Sequence, residues 1–194
     1  MKKNFVLAFF FAVGINAFAA DTAGGWQSLF NGTDLTGWVP MNGGVYWATN
    51  GVIHLEKGKG WLRAEKPFTN FIFEAEWRGL VTNYNSGVFV RAPLEGNPWA
   101  AGIWQVNTKQ SAIGQLLEGS KERVSSVTPP APVGQWVKFH IEVRGRRMTL
   151  DVDGRRAWEF DQFDSDFGYL GLQAEGRTTE FRNLRIRELP AGAN

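Results

Sequence analysis

Phe71-Ile72-Phe73-Glu74-Ala75-Glu76-Trp77-Arg78, followed by Asn85-Ser86-Gly87-Val88-Phe89-Val90-Arg91, decides the fold. Both stretches alternate with period two, so each reads as a strand with two unlike faces. Phe71, Phe73, Ala75 and Trp77 share one face of the first, while Glu74, Glu76 and Arg78 share the other. In the second, Val88 and Val90 point one way and Phe89 and Arg91 the other. Carboxylates and arginines on neighbouring strands can build a polar binding floor. The same pattern also fits an outer face dressed with ion pairs, and both readings stand on these two strands.

Working outward, short alternating runs recur between turn signals, the pattern of an all-β sandwich. Asn50-Gly51 separates Tyr46-Trp47 from Val52-Ile-His-Leu55, a hairpin signal. Asp153-Gly154 separates Met148-Thr-Leu-Asp-Val152 from Ala157-Trp-Glu-Phe160, a second one. Trp136-Val-Lys-Phe-His-Ile-Glu-Val143 places Val137, Phe139, Ile141 and Val143 on a buried side. Tyr169-Leu-Gly-Leu-Gln173 and Phe181-Arg-Asn-Leu-Arg-Ile-Arg187 supply the last strands. The reading is one domain over residues 25–189 with a tail at 190–194. Residues 111–135 form a connection longer than about 12 residues, the length at which loops are commonly functional; they are expected to fold over the binding face as a lid, with a further strand near residues 113–117.

The first 19 residues read as an export signal. Lys2 and Lys3 precede an apolar run at residues 5–15, and Ala17-Phe-Ala19 supplies a small-x-small cleavage pattern. That run is too short to span a membrane, which takes roughly 20 residues. The expected location is outside the cytoplasm, in a bacterial periplasm or beyond the cell. The chain holds 0 cysteines, so its stability rests on its core. Of its 21 basic side chains two leave with the signal, which leaves 19 against 19 acidic ones. A neutral protein has no field to draw in a polyanion, so nucleic acid is not an expected partner.

Chemistry-bearing residues are few in kind. The two histidines, His54 and His140, lie on polar strand faces without a serine nucleophile nearby. No His- or Cys-rich cluster implies zinc. Asp161, Asp164 and Asp166 form an acidic loop that calcium could use and that a solvated turn explains equally. Among nine tryptophans, Trp77, Trp104, Trp136 and Trp158 fall at in-facing positions and are expected in the core, whereas Trp61 and Trp99 sit in or beside loops, where they could stack on sugar rings. Extending the alternation through Ile103-Trp-Gln-Val-Asn107 collects a polar set: Glu74, Glu76, Arg78, Arg91, Gln105, Asn107, Gln173 and Glu175. Amides, arginines and carboxylates together suit a polyhydroxylated ligand, with a carboxylate for proton transfer. Glu74 and Glu76, two residues apart on one face, could approach the spacing of about 5–5.5 Å used by retaining glycosidases. Like charges that close would raise one pKa.

Trp26-Gln-Ser-Leu-Phe-Asn-Gly-Thr-Asp-Leu-Thr-Gly-Trp38 resembles the opening signature of the 3-keto-disaccharide hydrolase domain family. The likeness continues through Tyr46-Trp47, Asn50-Gly51-Val52, Asn85 to Arg91, Gly134-Gln-Trp136, Gly168-Tyr-Leu-Gly-Leu-Gln173 and Glu180 to Arg187, in order along the chain. The resemblance implies a concanavalin A-like jelly roll of two curved antiparallel sheets, a ligand groove on the concave face, export from a bacterial cell and a carbohydrate substrate. Members commonly carry aromatic-Glu-x-Gln where this chain has Trp104-Gln105-Val106-Asn107, and histidine where it has Glu175. The first expectation is therefore cleavage of 3-keto-glycosides by proton abstraction at C2. In it Glu76 is the base, Arg91 the stabiliser or clamp, and Glu74, Arg78, Gln105, Asn107, Gln173, Glu175 and Trp99 bind substrate. A non-catalytic carbohydrate-binding module and a retaining glycosidase using Glu74 and Glu76 are the alternatives.

Overall fold

Alternation becomes architecture in a computed structural model that describes residues 20–21, 25–94 and 102–190. Two antiparallel sheets stack face to face, and among the described residues there is no helix. The first sheet contains β1 (Ala20–Asp21), β2 (Trp26–Ser28), β4 (Val45–Thr49), β5 (Val52–Lys57), β7 (Phe71–Gly79), β12 (Val137–Arg144), β13 (Arg147–Val152), β14 (Arg155–Phe160) and β16 (Thr179–Glu188). The second contains β3 (Trp38–Met41), β6 (Lys59–Ala64), β8 (Gly87–Ala92), β9 (Trp104–Asn107), β10 (Leu116–Glu118), β11 (Lys121–Val124) and β15 (Tyr169–Glu175). Order across the first is β1-β2-β16-β7-β12-β13-β14, with the β4–β5 hairpin also joined to β16; across the second it is β11-β10-β9-β8-β15-β6-β3.

The expected inward faces meet between the sheets. Phe71, Phe73, Ala75 and Trp77 of β7, and Val137, Phe139, Ile141 and Val143 of β12, pack with Val88, Val90, Trp104, Val106, Leu170, Leu172 and Ala174 in one core. Burying each large apolar side chain contributes roughly 1.5–3 kcal/mol, which is how a chain without disulfides is held together. Both hairpin signals are realised: Asn50 and Gly51 join β4 to β5 at φ 49° and 78°, and Asp153 and Gly154 join β13 to β14 at φ 49° and 76°. Two positive φ values in a two-residue loop match the twist of the flanking strands.

Two expectations fail here. Trp136 is not core; it is half-buried just before β12, on the outer face of the first sheet, with Arg182 and Arg78 guanidinium carbons 4.0 and 4.4 Å from its ring centroid. Residues 111–135 are not a lid. Part of the segment extends the second sheet as the β10–β11 hairpin beside β9. The remainder closes the sandwich from the side: Ala131 is buried and its carbonyl accepts from Tyr84 Oη at 3.0 Å, while the Gly114 carbonyl accepts from the buried Trp158 indole at 2.5 Å. The segment's small and apolar residues fill the seam between sheets.

Candidate functional site

A strand's alternation separates its two faces but does not say which sheet the strand joins. The structure assigns β7 to one sheet and β8, β9 and β15 to the other. Because Phe73 and Ala75 enter the core, Glu74, Glu76 and Arg78 face outward from the first sheet. Because Trp104, Val106, Leu172 and Ala174 also enter it, Gln105, Asn107, Gln173 and Glu175 face outward from the second. Seven of the eight polar residues, all but Arg91, are thus divided between opposite outer faces of the sandwich, and the expected pocket of Glu76, Arg91 and Gln105 does not exist.

On the first sheet the charges satisfy one another. Glu74 Oε2 receives Arg185 Nε at 2.7 Å and Lys138 Nζ at 3.0 Å, and Oε1 lies 3.0 Å from His140 Nδ1. Burial raises the Glu74 pKa, but the contacts from His140, Lys138 and Arg185 outweigh it and bring the value down to about 2. Glu76 accepts from Arg182 Nε at 2.7 Å and Asn183 Nδ2 at 2.9 Å. Burial again acts upward, and these hydrogen bonds with the charges of Arg182 and Lys138 leave its pKa below the ordinary value. Like-charge repulsion therefore does not keep a proton on either group, contrary to expectation, because each has its own cation. Neither is a proton donor at neutral pH, and Glu76 is a poor base. Arg78 pairs with Glu180 at 2.6 Å, and Glu180 also lies 2.9 Å from His54 Nδ1.

Arg91 leaves the polar face altogether. It takes φ 48°, and the β8–β15 register shifts beside it. That local break rotates its side chain toward the loops at the sandwich end. There it donates from Nε to the Thr69 carbonyl at 2.6 Å, from Nη1 to the Gly145 carbonyl at 2.8 Å and to the Ser165 carbonyl, and from Nη2 to Asn70 Oδ1 at 3.1 Å. Burial pushes its pKa down to about 10, against the upward pull of Asp166, so it stays charged at neutral pH. Arg91 binds three loops together and is not a ligand clamp.

The outer face of the second sheet holds a different arrangement. Gln105 Nε2 donates to Gln173 Oε1 at 2.8 Å, and Gln173 Nε2 donates to Glu175 Oε2 at 2.6 Å. Both amides are buried, at 5% and 2% exposure, and the row leads to a half-buried carboxylate. Two glycines make the floor level: a Cβ on Gly87 would fall 2.1 Å from Gln105 Nε2, and one on Gly171 would fall 2.1 Å from the Trp61 ring. Across Gly171 lies an aromatic wall. Trp61 meets Phe89 edge-on at 5.6 Å and donates its indole N–H to Asn42 at 3.0 Å, while the Arg63 guanidinium sits 4.3 Å from the Tyr169 ring centroid. Contrary to expectation, Trp61 is therefore not in or beside a loop but within β6 and buried. Asn107 is spent on its own turn, donating to Gln115 Oε1 at 3.1 Å and accepting from the Lys109 amide at 3.0 Å. Trp99 lies outside the described residues.

Arg63, Phe89 and Tyr169 were not singled out from the sequence as part of this face. Their phase on the strand was legible; the pairing of β6, β8 and β15 that brings them together was not. For metal binding, no three His, Cys, Asp or Glu side chains converge among the described residues. Asp164 of the acidic loop accepts from the Trp104 indole at 2.9 Å.

Among curated proteins, none matches the chain. Among solved structures, the chain is similar to a protein provisionally classed as a glycosyl hydrolase from Parabacteroides distasonis ATCC 8503, at 20% identity and TM-score 0.71 over 87% of this chain and 95% of that one. It is similar to the carbohydrate binding module CBM66 from Bacillus subtilis, at 16% identity and TM-score 0.66 over 78% and 96%. A galectin-like protein from Bacillus subtilis aligns at 10% identity and TM-score 0.62 over 79% and 90%. These likenesses establish a jelly-roll sandwich of the galectin and concanavalin A kind. Over residues 25–187, nearly the full extent of both sheets, the chain matches the 3-keto-alpha-glucoside-1,2-lyase-like domain, and it belongs to that family.

Proposed function

We propose that the protein acts on 3-keto-glycosides, at the outer face of the second sheet. The observation that carries this reading is the row Gln105–Gln173–Glu175, whose amides donate one into the next and end on a carboxylate. Family membership supports the reaction class proposed. A C3 ketone acidifies the hydrogen at C2. Glu175 takes that proton, the electron pair forms the enolate, and collapse of the enolate expels the glycosidic oxygen from C1, which leaves with a proton as the alcohol. Water adding across the resulting C1–C2 double bond returns a free 3-keto sugar. Gln173 fixes the carboxylate through its 2.6 Å hydrogen bond, and Gln105 fixes Gln173. The half-buried Tyr169 ring, packed on the buried Trp61–Phe89 cluster, supplies an apolar side for a sugar ring. Glu76 and Arg91 take no part.

Purified protein incubated with methyl 3-keto-α-glucoside should release methanol and 3-keto-glucose, and in D2O the recovered substrate should gain deuterium at C2. Glu175→Gln should slow turnover about 100-fold or more, the scale of a general base. No loss of substrate by the unaltered protein, with and without divalent metal, would sink the reading. A second reading is a binding module on the same face. It is favoured by Gln105, an amide that cannot carry a proton at a position where the sequence resemblance leads one to expect glutamate. Calorimetric binding of the 3-keto-glucoside without turnover would select it.

Export accompanies either reading. The basic start, apolar run and Ala17-Phe-Ala19 support cleavage near Ala20. N-terminal sequencing of the protein from a bacterial periplasm or medium tests this, and an intact Met1 on that protein would refute it.

A further inference from the structure

The first sheet has its own recess, on the side of the sandwich opposite the Gln105–Gln173–Glu175 row. Along one edge β16 pairs continuously with β7 apart from a register shift between Arg182 and Arg185. Along its other edge it changes partner: β5 covers Thr179 to Phe181 and β2 covers Arg185 and Ile186. Between them Asn183 bulges out at φ 53° while Leu184 turns into the core. The missing stretch of strand leaves a groove of about 520 Å³, a size typical of small-molecule sites. Trp26, the Asn31–Gly32 turn with Gly51, Glu74 and Glu76, and Lys138, Asn183 and Arg185 line it.

We infer that this groove is a second saccharide-binding site, for an uncharged oligosaccharide of about three residues. The lining mixes an aromatic side with donors and acceptors set close together. Trp26 is half-buried, with the Arg185 and Arg187 guanidinium carbons 4.5 and 5.3 Å from its ring centroid, which fix the indole at the groove's side. Lys138 carries three N–H donors, of which one goes to Glu74 at 3.0 Å. Asn183 presents its carbonyl beside an amide nitrogen already tied to Glu76 at 2.9 Å. Adjacent sugar hydroxyls can accept from the cations and donate to the carboxylates at once. Engagement of the charges argues for an uncharged ligand: Lys138 and Arg185 are already paired with Glu74 and Arg182 with Glu76, so a charged ligand would have to compete with an existing pair. The site stands independently of Glu175, and would let one sandwich hold a glycan on one face while it acts at the other.

The test is nuclear magnetic resonance of the isotope-labelled protein titrated with maltotriose, cellotriose and xylotriose, with trigalacturonate as the charged comparator. At least one neutral trisaccharide should move the Trp26 indole N–H and the amides of Gly32, Gly51 and Asn183 saturably, and by the same amount in Glu175→Gln. Asn183→Gly keeps a residue comfortable at positive φ while removing the amide, and should weaken that binding by about fivefold or more. If no neutral trisaccharide moves these resonances at millimolar concentration, or only trigalacturonate does, the inference is wrong. It is equally wrong if the shifts vanish in Glu175→Gln or if Asn183→Gly binds as tightly as the parent. A failed turnover assay would leave these outcomes untouched, so the two readings fall separately.

Discussion

At the scale of single residues, the role of a charged side chain follows from what surrounds it. Glu74 has a folded pKa of about 2 against an ordinary 4.5. A depressed carboxylate pKa adds stability that is complete above the ordinary value and is lost as pH falls through the folded one. The protein should therefore lose stability between about pH 4.5 and pH 2, and Glu74→Gln should flatten that acid limb in denaturant melts followed across pH. Its cations are partly exposed, so at neutral pH the substitution should cost about 1–3 kcal/mol and no more. An unchanged acid limb would show the ion pairs are absent in solution. Arg91→Lys should cost about 3 kcal/mol or more in thermal melts, because an ammonium cannot reach the carbonyls that the fork holds. A variant as stable as the parent would remove Arg91 from its structural role. The facing of these residues was legible in the alternation. Arg91 was misplaced because a positive φ at a residue other than glycine leaves no mark in the pattern.

Elements make the two faces, and they do so with irregularities. At Gly87 a methyl group would meet Gln105 Nε2 at 2.1 Å and its Cδ and Cγ at 2.7 Å, so the whole buried side chain must move aside. Gly87→Ala should consequently cost the fold about 1–3 kcal/mol and break the Gln105–Gln173 bond, lowering activity or affinity for a 3-keto-glucoside roughly tenfold. Equal activity with a displaced melting point would invert that assignment. In β16, Asn183 holds φ 53°, where a β-branched side chain is strained. Asn183→Val should cost about 1–3 kcal/mol and Asn183→Gly little, a contrast that isolates backbone strain from the lost amide contact. Sequence periodicity named the strands and both two-residue hairpins, since these are local. It could not supply the bulge, the partner change along β16 or the layer each strand joins, all of which are set by distant pairing.

For the molecule as a whole, the resemblance in ordered motifs located the sandwich, and the assignment of β7 and β9 to different sheets is what moved the candidate chemistry from Glu76 to Glu175. One face carries amides and aromatic rings beside Arg63 and Glu175, the other a denser set of paired ions around a groove, so ligands at the two should respond differently to salt. Raising ionic strength should alter affinity at the Lys138–Arg185 groove more than at the Gln105 row, because exposed charges are screened and buried amides are not. Equal salt dependence in titrations resolved by site would contradict this division.

The late position of β16 among these strands has further consequences. β16 is flanked by β7 on one side and by β2 and β5 on the other, strands that come from the first half of the chain. Until its residues leave the ribosome, those earlier strands have no shared neighbour and the first sheet stays open through its middle. A chain stopped before Thr179 should show no cooperative unfolding transition. Closure of the first sheet is therefore postponed by topology until β16 has been made, with long loops to close before contacts repay them. A growing chain kept unfolded in this way can be threaded through a narrow channel without first being pulled apart.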